Sequence, residues 1–419
     1  MLRDWAVAGN DPPALDAVAG GRPCRAARWD AERLAAVTAR LAARGAEALA
    51  AVPLERRLAA WIAAVEALLD PESDERRELF PALLSTARLS PEGLTEALDI
   101  VVGGAGADAA AALAARRPAA GEAGVDGVVL AANVPGLAVQ SVLPALVAGR
   151  PLVVRSPARE PLFAPALVAA LVRREPALAE AFAAVSFAHG RSDLLAAALG
   201  GCRRILASGG RSALAALGAT LGERLVAQGP KASVAFVAGE RDALAAGRAI
   251  ARDVALLDQR GCLSVQAIYV AGEARELADA LVFALALEHR RLPPGPAEPE
   301  LVARLQQWRR EAALAGALVG ELDAAAGTVV ADPEPGFRPT PGLRSVRVHS
   351  VDALDDALAA LAPWRGALQG AALAGEEALA RGEEIAARLG LARCAPAGRL
   401  QHAEAGWASG GIDPLGVFA

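Results

Sequence analysis

The sequence predicts an α/β protein of two lobes, with mostly parallel sheets covered by helices and a helical N-terminal segment. Short apolar runs without polar alternation, such as Val128-Val129-Leu130 and Leu152-Val153-Val154, read as strands buried on both faces. Segments of helical period separate those runs from residue 128 onward, the alternation of a sheet with crossover helices. The chain has 419 residues, 54% hydrophobic and 22% charged, enough for two cores. Much of the apolar content is alanine, which favours helix and buries little area per residue.

Residues up to about 120 read as helical. Asp30 caps a segment running through Ala50, and Leu54 to Leu69 repeats apolar residues at helical spacing. Pro81 and Pro91 are expected to interrupt two further short helices. The first strand, Val128 to Leu130, leads through Asn133-Val134-Pro135-Gly136 to a helix ending at Ala148. Leu152 to Val154 is the second strand, ahead of a helix from about Pro161, and Ala184 to Phe187 is the third. Arg204 to Ala207 is the fourth, closed by Ser208-Gly209-Gly210 and another helix. Leu225 to Ala227 and Val234 to Val237 follow, then a helix from Asp242 to Leu257 and a strand from Val265 to Val270. Helices at Arg275 to His289 and Leu301 to Ala315 precede short strands near Thr328 and Val346. Ligands bind such sheets at the carboxyl ends of the strands.

Composition excludes several function classes. A net charge of −5 and 4% aromatic residues supply neither a basic face nor a stacking platform for nucleic acid. Cys24, Cys202, Cys262 and Cys394 are scattered without a CxxC pair, and the four histidines show no ligand spacing. No metal site and a reduced, cytoplasmic setting are therefore expected. Met1-Leu2-Arg3-Asp4-Trp5 lacks the charged-then-apolar profile of a secretion signal. Gly127 to Gly149 is uncharged and long enough to raise the membrane question, but Asn133, Pro135, Gln140 and Pro144 make it strand, turn and helix rather than a span.

The stretch Asp258-Gln259-Arg260-Gly261-Cys262-Leu263-Ser264 sets a thiol where a helix gives way to a strand. Two readings fit Cys262: a nucleophile suited to taking an acyl group from a thioester, or a small buried hydrophobe. Asn133 reads either as an oxyanion donor or as an ordinary turn asparagine. Ser208-Gly209-Gly210 admits a nucleotide to a helix N-terminus or simply starts that helix. Arg155-Ser156 offers a cation and a hydroxyl to ribose or phosphate, or Arg155 is a solvated surface side chain. All basic side chains are arginine except Lys231, in Gly229-Pro230-Lys231-Ala232-Ser233. Its compact charge is either needed there or a matter of chance.

In order and spacing, five segments resemble the acyl-CoA reductase family typified by the LuxC-like reductase subunit of the luminous bacteria's fatty-acid reductase complex, a branch of the aldehyde dehydrogenase superfamily. They are Leu130 to Pro135, Val154-Arg155-Ser156, Ser208 to Arg211, Gly229 to Ser233, and Asp258 to Ser264. The resemblance is strong from about 125 to 270, general to 398 and poor in the N-terminal segment. Gly398-Arg399-Leu400-Gln401 with Trp407 is similar to the ending of non-luminous members, although Trp407-Ala408-Ser409 lacks an acidic residue after the tryptophan.

The resemblance implies an aldehyde-dehydrogenase-like fold. An NADP-binding lobe would span 1–255 with the helical segment, a catalytic lobe 256–397, and a tail, 398–419, would return to the first lobe. It implies NADPH-dependent reduction of a fatty acyl-CoA or acyl-carrier thioester to the aldehyde through a covalent cysteine acyl-enzyme. Cys262 would be the nucleophile and Asn133 the oxyanion donor. Arg155, Ser156, Gly209 and Gly210 would contact NADPH, with support from Lys231 and Gln259. It further implies a homo-oligomer and a partner acyl-protein synthetase or acyltransferase. Hydrolytic dehydrogenases carry a water-activating glutamate in a segment aligned with Val226 to Lys231; here that segment reads Val-Ala-Gln-Gly-Pro-Lys. The position of the acidic residue that many NAD-preferring members place near the ribose aligns with Ala158. Two alternatives remain: an NAD(P)-dependent aldehyde dehydrogenase, or a catalytically silent acyl-carrier-binding homologue.

Overall fold

Buried four-residue runs become the strands of the first sheet. In this computed structural model, which describes residues 1–9, 11–19, 22–119, 123–322 and 327–419, these runs are β4 (Asp126–Val129), β5 (Leu152–Arg155), β6 (Phe182–Val185) and β7 (Ile205–Ser208). With the more exposed β8 (Leu225–Gln228) they form a parallel sheet in the order β6-β5-β4-β7-β8. The chain winds outward from β4 to β6 and then returns to β7 on the other side. The topological switch point therefore lies between β4 and β7, where the turns that follow both strands diverge and leave a crevice. Leu34 and Leu41 from the helix Ala31–Ala51 pack on Val129, Val153, Val185 and Ile205, as do Leu194 and Leu199. Asp30 caps that helix as expected, its carboxylate accepting the Arg33 backbone N–H at 2.8 Å.

The N-terminal segment departs from the helical expectation. β1 (Leu2–Arg3), β2 (Ala14–Ala19) and β3 (Arg22–Ala27) form a small sheet in the order β1-β3-β2, and the helices begin only at Ala31. Ala6 also exchanges two backbone hydrogen bonds, both 2.8 Å, with Ala184 of β6. Alanine-rich strands carry almost no intrinsic β signal, so pairing rather than propensity makes them strands. Pro81 lies inside its helix, Asp74–Ala87, without ending it, the packing of Leu79, Ala82 and Leu83 offsetting the lost donor and the ring's clash; Pro91 begins the next helix, Pro91–Val101.

Gly127 to Gly149 forms β4, a turn and the helix Val139–Ala148. A different stretch, Pro91–Ala115, has the length and composition of a membrane crossing. A 3₁₀ turn at Gly103–Ala105 divides it into two helices, and the Trp61 indole N–H donates to the Ala105 carbonyl at 2.7 Å.

Among the described residues the second sheet has seven strands: β9 (Ala232–Val237), β10 (Val265–Ala271), β11 (Leu318–Glu321), β12 (Thr328–Ala331), β13 (Ser345–Val351), β14 (Leu368–Ala374) and β15 (Arg393–Pro396). Their order is β11-β12-β13-β10-β9-β14-β15, parallel except for β11. Val234, Phe236 and Leu373 meet Leu354, Leu358, Leu361 and Ile385 in one core.

Two units divide the chain: Met1–Ala87 with Ala97–Pro230 and Ala403–Ala419, and Arg88–Glu96 with Lys231–His402. After the Arg88–Glu96 excursion, the chain crosses into the second unit again at 230/231, where β9 pairs with β10 and β14.

Candidate active site

The helix Ala243–Ala255, capped by Asp242, leads to Cys262 through an unusual turn. Leu257, Asp258 and Gln259 are all left-handed, with φ of 59°, 50° and 63°. Cβ–carbonyl crowding disfavours this region for L-residues, and it rarely recurs in succession. Long-range hydrogen bonds hold the turn. Gln259, buried, donates from Nε2 to the Val265 and Ser345 carbonyls, both at 2.7 Å, and its Oε1 accepts the Ser345 N–H at 2.8 Å. Gln259 therefore rivets the turn to β10 and β13, with three polar contacts engaged inside the protein.

Cys262 itself is half-buried. The Ser233 hydroxyl, at the start of β9, donates to its carbonyl at 2.8 Å. Burial pushes the thiol up to about 11, while the backbone N–H groups of Cys262 and Leu263 and the charge of Lys231 pull it back. The Lys231 ammonium donates to the Gly366 carbonyl, which anchors it on this unit. The thiol thus lies among amide donors and beside a cation, which offset part of the cost of burying a thiolate. Cys262 precedes β10, so it occupies the amino edge of its sheet rather than the carboxyl edge where ligands were expected.

Gln401 braces the turn from behind. It is buried, and its Nε2 donates to the Asp253 carbonyl at 2.8 Å, while its Oε1 lies 3.1 Å from where a side chain on Gly261 would begin. Asp253 accepts the Gly398 and Leu400 N–H groups at 2.7 and 3.1 Å, and burial raises its carboxyl to about 7. Sequence reasoning missed Asp253; its only signal was a lone acid on the apolar side of a helix.

The remaining candidate residues belong to the first unit, at the carboxyl edge of its parallel sheet. Asn133 is exposed in the turn after β4. Arg155 ends β5, nearly buried, with its guanidinium 5.1 Å over the Phe187 ring and Nη2 donating to the Phe187 carbonyl at 3.2 Å. Burial lowers its pKa from the ordinary guanidinium value. Ser156 is fully buried. Gly209 and Gly210 follow β7, and Gly210 precedes the helix Arg211–Leu221.

Two features of this edge fit a dinucleotide. Arg155 Nε and Ser156 Oγ are buried without a hydrogen-bond partner, and nothing lies within 4 Å of where a Gly210 side chain would begin. Orphaned donors and an open helix N-terminus suit ribose hydroxyls and phosphates. In the Val226 to Lys231 segment, Gln228 is already engaged: the Ser208 hydroxyl donates to its Oε1 at 2.7 Å, and its Nε2 donates to the Ser409 carbonyl at 3.0 Å. The tail thereby fixes the Gln228 side chain within that segment.

The sequence profile of the family described as acyl-CoA reductase (LuxC) matches residues 116–419. The chain belongs to that family. The acyl-CoA reductase family match covers both the Asn133 turn and the Cys262 turn. A long-chain acyl-protein thioester reductase of Photobacterium leiognathi is 26% identical over 292 residues, 68% of this chain and 61% of the relative. A second, from Aliivibrio fischeri, is 25% identical over 59% of this chain and 55% of its own length. The chain thus spans little more than half the length of these relatives. Its fold is that of the aldehyde dehydrogenases. A benzaldehyde dehydrogenase from Corynebacterium glutamicum superposes with a TM-score of 0.70, at 17% identity over 95% of this chain and 94% of its own. Aldehyde dehydrogenase 21 from Physcomitrella patens gives 0.71 at 16% identity, over 92% of this chain and 87% of its own.

The raised thiol predicts the pH behaviour of this acyl-CoA reductase family member without ligands. The thiolate is the reactive form, so iodoacetamide alkylation of Cys262 should rise about tenfold per pH unit from 7 to 10. Site-resolved mass spectrometry measures it; a plateau below pH 9 contradicts the burial argument.

Proposed function

We propose that the protein reduces an acyl thioester to the aldehyde, with NADPH as reductant and Cys262 as the acyl-accepting nucleophile. The observation that carries this reading is the half-buried Cys262 thiol in its hydrogen-bonded turn, met by the backbone N–H groups of Cys262 and Leu263 and, as the smallest influence, by the Lys231 charge. The Val226 to Lys231 segment holds no carboxylate, which a hydrolytic dehydrogenase needs to activate water. The Cys262 thiolate attacks the thioester carbonyl carbon, and the bond to the carrier sulfur breaks as the carrier thiolate leaves to take a proton. Amide donors near Cys262, with the Asn133 carboxamide, would stabilise the oxyanion. Arg155, Ser156, Gly209 and Gly210 would hold NADPH, which supplies a hydride when bound. The thiohemiacetal on Cys262 then collapses, releasing aldehyde and returning the thiolate.

Gln228 is a neutral amide held by Ser208 and Ser409, so the acyl-enzyme should resist hydrolysis. The names of the two relatives support a long acyl chain presented as a thioester. An acyl-protein synthetase or acyltransferase would be the matching upstream partner, and a reactive thiol suits the reducing cytoplasm. Incubation with labelled acyl-CoA, without NADPH, tests the reading. Mass analysis should find a persistent acyl adduct on Cys262 that NADPH discharges as aldehyde. An adduct on another residue refutes the nucleophile, and rapid acid release returns the protein to the oxidising dehydrogenases.

Cofactor choice gives a separate prediction. Ala158, exposed after β5, offers no carboxylate to repel a 2′-phosphate. If Arg155 contacts that phosphate, Arg155→Ala should weaken NADPH more than NADH by roughly 1.5–3 kcal/mol, about ten- to a hundredfold. Paired titrations check this, and an unchanged preference removes Arg155 from the site.

A further inference from the structure

Among the described residues, every non-glycine residue with positive φ lies in three segments of the second unit: Arg88 (55°), Leu257 to Gln259, and Leu343-Arg344 (55° and 60°). These strained segments are bonded to one another. Asp258 Oδ1 accepts Arg344 Nε and Nη2 at 3.0 and 2.6 Å, and its Oδ2 accepts the Gly295 N–H at 2.9 Å. Arg344 Nη1 donates to the Leu292 carbonyl at 2.7 Å, and the Arg260 guanidinium donates to the Arg88 carbonyl. The Asp258 and Arg344 side chains are only 6% and 2% exposed.

A buried ion pair is poorly explained by stability, since apolar side chains of similar volume often serve as well. Strained backbone persists where the surroundings over-determine it, and it concentrates at functional sites. Here the strain leads straight to the thiol. A Leu257 methyl lies 3.2 Å from where a Gly261 side chain would begin, so relaxation of the turn at Leu257 presses on the residue next to Cys262.

We propose that the Asp258–Arg344 pair is a positioning device: it locks the left-handed turn and so aims the Cys262 thiol. The proposal rests on the reading of Cys262 as nucleophile. Without the fork, the turn relaxes toward negative φ and the sulfur leaves its attacking position.

Two double variants separate aiming from simple stability. Asp258→Ala/Arg344→Met and Asp258→Gly/Arg344→Met both remove the buried pair, and they differ by one methyl at a residue with φ of 50°. Glycine keeps that conformation without penalty, whereas alanine does not. The alanine version should alkylate Cys262 and turn over acyl thioester about ten- to a hundredfold more slowly, with KM for NADPH unchanged. The glycine version should stay within about threefold of wild type, because glycine removes the pull of residue 258 toward negative φ and Gln259 still ties the turn to β10 and β13. Equal rates in the two versions overturn the proposal. If circular dichroism shows that either fails to fold, Arg344→Lys carries the test. It keeps the charge but loses the two-pronged contact, so alkylation should slow, and a wild-type rate overturns the proposal. Wild-type protein alkylated at Cys262 that still reduces acyl thioester refutes the nucleophile reading, and the pair's role with it.

Discussion

Cys262→Ala should abolish both acyl-enzyme formation and aldehyde release. The other thiols lack its combination of half-exposure, paired amide donors and a neighbouring cation. Cys202 is buried, and burial with the Asp126 charge pushes it up to about 12. Cys394 is half-buried and raised to about 11 like Cys262, but it sits within β15, paired with Ala371, rather than in a turn. Cys24 is buried in β3. Replacing any of these three should leave turnover largely intact. Intact-protein mass spectrometry and aldehyde assays decide the matter, and an equally dead Cys202→Ala would mean that the nucleophile has been misassigned.

Asn133→Ala should lower turnover by about 10²–10³-fold, the usual loss when one oxyanion donor is removed, with little change in NADPH affinity. The side chain is exposed, so the substitution exposes no core and leaves the fold alone. Gly136 shapes the same turn. Its φ is +86°, and a side chain there would begin 2.8 Å from a Val102 methyl, so that point of the turn requires glycine. Undiminished kcat in the variant would reduce Asn133 to a turn residue.

The strands that carry the first unit's candidate residues were legible because Val-Val-Leu and Leu-Val-Val runs leave few alternatives to a buried strand. β14 was not. Its sequence, Leu-Gln-Gly-Ala-Ala-Leu-Ala, is poor in strand-forming residues, and it is a strand only because β9 and β15 flank it. The candidate site divides in the same way. Asp258 to Ser264 stood out as a polar turn bearing a thiol, but nothing local announces three left-handed residues beginning with a leucine. Their cause lies elsewhere in the chain: Arg344 is 86 residues from Asp258, and Ser409 is 181 residues from the Gln228 it holds. Residue types at a site can be read from a sequence, whereas the partners that lock them come from tertiary pairing.

The C-terminal tail has a consequence for quality control. Phe418 is fully buried in the first unit, its carbonyl accepts Arg150 Nε at 2.8 Å, and the short helix Pro414–Val417 packs on Val139–Ala148. Residues 403–419 belong to the first unit and contribute no residue to Lys231–His402. Without them the first unit would keep a gap in its core, and Arg150 would lose the Phe418 carbonyl. A protease that trims the tail would leave a chain with its Cys262 turn assembled and its first unit unfinished. Such a chain would display the aliphatic face of Val139–Ala148 to chaperones.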